Sequence, residues 1–402
     1  MNRRVFITGY GVITSIGNDV KENFASLRDR EHGFRRLEFL DTLHREDIYC
    51  CEVKESDAAL CRRAGVPDNA AYTRTTLLGL IAVKEAIASA GLSREEVSES
   101  GLISATTAGG IRELETHFQE LQSHATTGDF LAFLDTVDPG QHTERLAEAL
   151  NIKQYLATVS TACSSAANSL IFGARLIRNG LADRMICGGA ESLSKVTING
   201  FNALMILDRG HCKPFDRNRC GLNLGEGAAY IVLEAEEIVL RSGRKAIAEL
   251  NGYANVNEAF HQTASSPEGA GALKAMRKCL DMAGIPPSAV DYINAHGTGT
   301  ENNDLSEGLA MQTLFANETP PFSSTKPYTG HTTSAAGSVE AAFCLIAFEQ
   351  DVIYPNLNFN LSIQELGIRP VTELKTKANL KTILSNSLGF GGSATSLLFT
   401  KC

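Results

Sequence analysis

Long apolar runs are missing from this chain. No stretch suffices to span a bilayer. The opening MNRRVFITGYGVITSIG has a short basic lead without the apolar core and small-residue cleavage site of a secretory signal. A cytoplasmic protein is expected. Positive charge is also scarce: 37 Lys and Arg stand against 46 Asp and Glu, a formal net charge of -9. That excludes the basic field on which non-specific nucleic-acid binding depends, while leaving open a local basic patch for an acidic protein partner. The ten cysteines form no CxxC pair and no metal-ligand spacing, so no metal site is expected. In a reducing compartment such residues are mostly small hydrophobes, and a reactive one has to be picked out by its surroundings. Short repeats and Pro-rich or Gly/Ser-rich linkers are absent too, which argues against a solenoid and against loosely tethered domains.

What is present is apolar material enough for a large core, 43% of 402 residues. Short apolar runs alternate with amphipathic stretches, the pattern of an α/β fold with buried strands. Strands are expected at 5–8, ending in a glycine-rich turn at Gly9 and Gly11, and at 101–106, 156–162, 184–188, 228–233, 246–256, 292–295, 382–385 and 395–400. Helices are expected at 75–90 with Gly91 as C-cap, and at 164–178, 271–283, 306–315 and 334–348. The polar stretch 117–149 reads as an insertion of helices and loops, with a turn at Asp138-Pro139-Gly140. Both halves place a strand, a small-residue turn and a buried helix at their reactive segment. This suggests a duplicated α/β unit, divided as 1–245 and 246–402 and packed as one body.

Four segments carry chemistry. Cys163, in TACSSAA, stands where a strand meets a helix. There it faces the positive end of the helix dipole and unpaired backbone N–H groups, so its pKa is expected to fall below the free value of about 8.5. The alternative is an inert buried cysteine. His296, in NAHGTGT, ends a strand and is followed by glycines that open a cleft, with Thr298 and Thr300 as hydroxyl donors on the same loop. His331, in STKPYTGH, sits at the mouth of a small-residue helix, five residues after Lys326. NSLGFGG is a glycine-rich turn bearing one aromatic, Phe390. A lone histidine at a strand end is more often structural; the four segments together are far more specific.

With those residues in place the chain resembles the β-ketoacyl-acyl-carrier-protein synthase II group of thiolase-like condensing enzymes. The resemblance runs nearly end to end, with TACSSA, NAHGTGTxxND, KxxxGH, AAG and GFGG in the family's order. It implies a thiolase-like fold, two pseudo-repeated α/β halves packed as a layered αβαβα body. It implies a decarboxylative Claisen condensation between an acyl group and malonyl-acyl-carrier protein. Cys163 resembles the nucleophile that takes the acyl chain. His296 and His331 resemble the pair that promotes decarboxylation and steadies the enolate, with Lys326 supporting them. Thr298 and Thr300 resemble the hydroxyls that hold the pantetheine arm, and Glu307 an acidic site-organising position whose bland reading is a solvated helix face. Phe390 resembles the aromatic gate, and its backbone N–H with that of Cys163 resembles the oxyanion hole. Ala108, Leu388 and Phe390 fall where relatives line the acyl pocket. No cofactor is implied. Partners implied are acyl-carrier protein and a second copy of the chain, or a related subunit in a heterodimer. Some relatives ring a monovalent cation with residues matching Glu340, Asn294, Asn386 and Ser387; the other reading is a buried hydrogen-bond network. Glu226 reads as structural.

The chain also departs from the pattern. Ser334 replaces the second glycine of GHxxGAAG, Ser393-Ala394 replaces the Thr-Asn after GFGG, and Cys220 and Leu222 replace the acid and aromatic of RDGF. Small Ala108 leaves room in the acyl pocket. These departures suggest a long, unsaturated or aryl-bearing acyl chain, as in pigment or polyketide pathways. The rival reading is a non-catalytic, chain-length-factor-like subunit, which usually lacks the cysteine that is kept here. A biosynthetic thiolase is disfavoured because the GFGG turn lacks a second cysteine.

Overall fold

The structure is a computed structural model that describes residues 3–67, 72–123, 127–316 and 318–402. Its twelve strands are β1 (Val5–Thr14), β2 (Gly101–Ala105), β3 (Leu156–Val159), β4 (Arg184–Glu191), β5 (Gly227–Ala235), β6 (Ala248–Asn257), β7 (Tyr292–Asn294), β8 (Phe322–Ser323), β9 (Val352–Ile353), β10 (Lys375–Thr376), β11 (Thr382–Gly389) and β12 (Ser393–Lys401). Ten form one sheet in the order β3-β2-β4-β5-β1-β6-β12-β11-β7-β8. The first five and the last five mirror each other. Each set has two antiparallel pairs next to the centre (β4–β5–β1 and β6–β12–β11) and parallel pairs toward the edge (β3–β2–β4 and β11–β7–β8). The sets meet where Phe6 and Ile7 of β1 pair with Glu249 and Ala248 of β6. Helices lie in three layers around this sheet. Arg74–Ala90 packs outside β1 and β5, and Ala270–Ala283 outside β6 and β12. Ser165–Arg178 and Ala336–Gln350 pack on each other and on strands of both sets. The result is a layered α/β body in which the two β layers belong to one continuous sheet.

Why these helices sit where they do is readable from side-chain size. All residues 336–348 are buried, and the helix carries small residues where it meets its neighbour: a Cβ on Gly337 would fall 2.7 Å from the backbone nitrogen of Ala167. The two central helices therefore touch backbone to backbone, and no larger residue fits. The same reasoning corrects the expectation for β1. Its strand runs through Gly9 and Gly11 rather than turning there. A Cβ on Gly9 would lie 2.4 Å from Ala90 N, and one on Gly11 2.3 Å from Ala82 O. These glycines admit the helix Arg74–Ala90 and make no turn.

Two further expectations change. Asp138-Pro139-Gly140 opens a helix, Pro139–Leu150: Asp138 accepts from Gly140 N as N-cap and Pro139 occupies the first turn, where its missing N–H costs nothing. β3 is shorter than expected and only partly covered, since it lies at the sheet edge and pairs with β2 alone.

Candidate active site

The chain leaves β3 at Val159 and enters the helix Ser165–Arg178 six residues later. The turn between is tight. Ala162 holds φ 53, a left-handed conformation that costs a residue with a Cβ of order 1 kcal/mol or more. Hydroxyls hold it there: Thr161 N donates to Ser165 Oγ at 2.7 Å, Ser165 Oγ to Ala162 O at 2.6 Å, and Ser164 Oγ to Thr161 O at 2.7 Å. Cys163 is thereby presented just ahead of the N-cap, Ser164, of a buried helix. From the other side the chain approaches so closely that a Cβ on Gly389 would lie 3.2 Å from Cys163 N.

The protonation expected of Cys163 is corrected. Burial pushes its thiol up to about 11, against the opposing pull of the Lys326 charge and of backbone N–H groups of Phe390 and Cys163 itself. Desolvation of the thiolate outweighs the helix end, so the resting group is a neutral thiol. The Phe390 N–H lies within hydrogen-bonding reach of the Cys163 sulfur.

His296 follows β7 on a turn with Gly297 at φ 40 and Gly299 at φ 85. Two buried carboxylates from the helix Glu301–Leu314 fold this turn. Glu307 accepts from His296 N and Gly297 N, both at 2.9 Å, and Asp304 accepts from Gly299 N at 3.1 Å and Phe215 N at 2.7 Å. Glu307 is thus a fully buried organiser of the turn and lies on no solvated face. Asn386 is committed to the same network, donating to Glu307 Oε1 and accepting from Ser396 Oγ. Asn386 thus belongs to a buried hydrogen-bond network, while Asn294 Oδ1 and Glu340 Oε2 are buried without a hydrogen-bond partner among the described residues.

Lys326 is 2% exposed, and all three of its ammonium donors are used. Nζ meets His296 Nδ1 at 3.1 Å, His296 O at 2.5 Å and Glu340 Oε1 at 2.5 Å. Because an ammonium only donates, His296 Nδ1 accepts and the ring proton sits on Nε2. Burial first, then Lys326 and His331, hold His296 well below the ordinary histidine value; burial and Lys326 do the same for His331. Both rings are neutral. They stand edge to face, centroids 5.3 Å apart. The His331 backbone is stitched to 223–225, N donating to Asn223 O at 2.7 Å and O accepting from Gly225 N at 3.0 Å. Neither of its ring nitrogens has a hydrogen-bond partner.

Cys163, His296 and His331 line a single cavity of about 420 Å³, together with Thr298, Thr300, Leu388 and Phe390. The Thr298 and Thr300 hydroxyls lie 2.9 Å apart on its wall. A second cavity of about 700 Å³ also reaches Cys163 and Phe390, and is walled by Ala108, Ile111, Val137 and Leu204. Phe390 stacks on Phe201 at 5.7 Å, and this aromatic pair borders both spaces. Of the residues matched to an acyl pocket, Ala108 lines the second cavity, Leu388 the first and Phe390 both. Glu226 is structural as expected, fully buried and paired with Arg74 Nη2 at 2.6 Å. Sequence reasoning passed over Phe201 and Glu191, although Glu191 closes the buried strand β4 directly after Gly188-Gly189-Ala190, where an acid needs a reason.

Comparison with known proteins agrees with this geometry. Residues 2–238 match the family model described as Beta-ketoacyl synthase, N-terminal domain, and 247–360 match Beta-ketoacyl synthase, C-terminal domain. The chain is 31% identical over 416 residues to 3-oxoacyl-[acyl-carrier-protein] synthase 2 of Staphylococcus aureus (strain COL), covering 100% of this chain and 99% of that one. It is 32% identical over 422 residues to 3-oxoacyl-[acyl-carrier-protein] synthase 1 of Haemophilus influenzae, covering 99% of each. The solved ishigamide ketosynthase/chain length factor superimposes with a TM-score of 0.92 at 30% identity, over 100% of both chains.

Proposed function

Since the chain belongs to the β-ketoacyl synthase family, carbon–carbon bond-forming acyltransferases, we propose that Cys163, His296, His331 and Lys326 carry out its decarboxylative condensation. The observation that carries this is the convergence of the sulfur and both neutral imidazoles on one cavity. An acyl group arrives as a thioester on the pantetheine arm of an acyl-carrier protein. The Cys163 sulfur attacks its carbonyl carbon, the carrier sulfur leaves and takes up the thiol proton, and the acyl chain enters the second cavity past Phe390. Malonyl-carrier protein then binds in the first cavity, its arm against Thr298 and Thr300. Loss of CO2 leaves an electron pair that the thioester oxygen receives as an enolate. N–H donors from His296 Nε2 and His331 stabilise that oxygen in a site walled off from water. The enolate carbon attacks the acyl-Cys163 carbonyl, whose oxygen is held by the Cys163 and Phe390 N–H groups. Collapse expels the cysteine as a thiolate, which takes up one proton supplied by solvent to restore the resting thiol. The electron demand is met throughout by N–H donors and the Lys326 charge, so the scheme uses no metal or redox cofactor.

We further infer a long or bulky acyl substrate, supported by the size of the second cavity and by the small Ala108 in its wall. Tyr155, just before β3, and Leu156 at its start are 45% and 39% exposed at the sheet edge, which supports a second copy of this chain covering that edge. A non-catalytic chain-length-factor role is disfavoured because Cys163, both histidines and Lys326 are all present and assembled. No helix among the described residues is long and apolar enough to cross a membrane, and we infer a cytoplasmic setting from the free cysteines. The test is turnover with acyl- and malonyl-carrier protein. The parent forms the β-ketoacyl carrier product; His296→Ala and His331→Ala each lose about 10²–10³ in rate. Variants as fast as the parent contradict the assignment.

A further inference from the structure

Glu191 ends β4 at 2% exposure, and its carboxylate collects donors from two separate loops. On one side are Thr106 Oγ1 at 2.9 Å, Thr107 N at 2.9 Å, Thr107 Oγ1 at 2.5 Å and Ala108 N at 3.2 Å. On the other is Ser334 Oγ at 2.6 Å. The first loop supplies Thr107 and Ala108 to the wall of the second cavity. The second loop supplies Thr333 to the same cavity and carries His331 two residues before it. Thr333 holds φ 46, so this turn stays in an uncommon backbone conformation that needs external support. Ser334 is fully buried, and its hydroxyl ties the turn to the carboxylate. Hydrogen bonds to a buried carboxylate are short and roughly twice as strong as neutral ones, and they fix direction as well as distance.

We propose that the Ser334–Glu191 bridge is a specificity-determining device: it locks the acyl-cavity wall at Thr107 and Ala108 to the loop bearing His331, and so sets how far that wall yields to the acyl chain. Ser334 stands where the family pattern has glycine, so this side of the clamp is particular to this chain. Glu191 acts through the wall it holds and is a positioning residue. The inference rests on the reading that the second cavity receives the acyl group.

The test measures acylation of Cys163 by intact mass with octanoyl-, dodecanoyl- and hexadecanoyl-carrier protein, in the parent and in Ser334→Ala. With the bridge cut, the ratio of acylation rates between the best and worst chains changes at least fivefold. Thr107→Val, which keeps its shape and removes the other hydroxyl on the same carboxylate oxygen, shifts the ratio in the same direction. The double variant shifts it by less than the product of the two. Ser334→Thr, which restores a hydroxyl, moves the ratio back toward the parent. A common factor lost for all three chains, as from a merely structural role, or unchanged ratios in both single variants, overturns the inference while leaving the condensing reaction standing. A parent protein that takes up no acyl group on Cys163 overturns the functional reading and this inference with it.

Discussion

Lys326 Nζ donates to His296 Nδ1 across 3.1 Å, and that contact decides which nitrogen of the ring carries the proton. With Nδ1 engaged as acceptor, Nε2 is a donor. Lys326→Met removes the constraint and frees the other tautomer. Decarboxylation of malonyl-carrier protein is expected to fall about 10²–10³-fold, the loss typical of one oxyanion donor. The fold should survive, because burial already pushes Glu340 up to about 7, and without Lys326 it takes a proton instead of standing as a bare charge. Lys326→Arg should not rescue, since a planar fork cannot reproduce three donors from one atom. Decarboxylation assays with circular dichroism check both halves.

Ala108 lines the second cavity. Ala108→Leu adds three carbons to its wall. Each methylene gained or lost in such a pocket is worth roughly 1–3 kcal/mol of discrimination. Acylation by hexadecanoyl-carrier protein should therefore drop at least tenfold, while octanoyl transfer stays within about threefold. Intact-mass time courses with the two substrates measure it.

How much of this was legible in the sequence follows from what each residue depends on. The helix Arg74–Ala90 was legible to within one residue, because its period and Gly91 cap are local signals. Gly9 and Gly11 were misread as a turn because their reason, the close approach of Ala82 and Ala90, exists only after folding. The exposure of β3 was hidden likewise, since which strand lies at an edge is a property of topology. The reactive segments were legible because sulfur, imidazole and ammonium at strand ends are rare and chemically specific. Glu191 and Phe201 were not, because their meaning comes from contacts 83 to 189 residues away along the chain. The Cys163 thiol was misjudged because helix end and burial pull in opposite directions, and only the depth of the site tells which prevails.

Glu226 holds the N-terminal half behind the site. Besides Arg74 it accepts from Val53 N at 2.9 Å and Leu193 N at 3.0 Å, all buried. Glu226→Ala leaves the Arg74 guanidinium without its buried partner, an exchange that costs about 3–5 kcal/mol. The urea midpoint should fall accordingly with an unchanged slope. A loss below about 1 kcal/mol contradicts the buried-pair reading.

His142 gives the pH dependence. Burial holds it down to about 3, between Thr76 Oγ1 at 3.2 Å, Ser104 Oγ at 2.9 Å and Tyr230 OH at 3.2 Å. It stays neutral when folded but takes a proton below about pH 6.5 when unfolded. The unfolded state then binds more protons, so stability is lost as the pH drops below about 6.5. The stability advantage of the parent over His142→Asn should shrink by about 2 kcal/mol between pH 6.5 and 5. Denaturant titrations at the two pH values measure the difference.

Intact mass spectrometry of the protein, first with acyl-carrier protein and then with malonyl-carrier protein, tests the central claim most directly. The account predicts one acyl mass on a peptide containing Cys163, its disappearance on adding malonyl-carrier protein as β-ketoacyl carrier forms, and neither event in Cys163→Ala. An acyl group found on another residue, or a Cys163→Ala protein that condenses at the parent's rate, would contradict it.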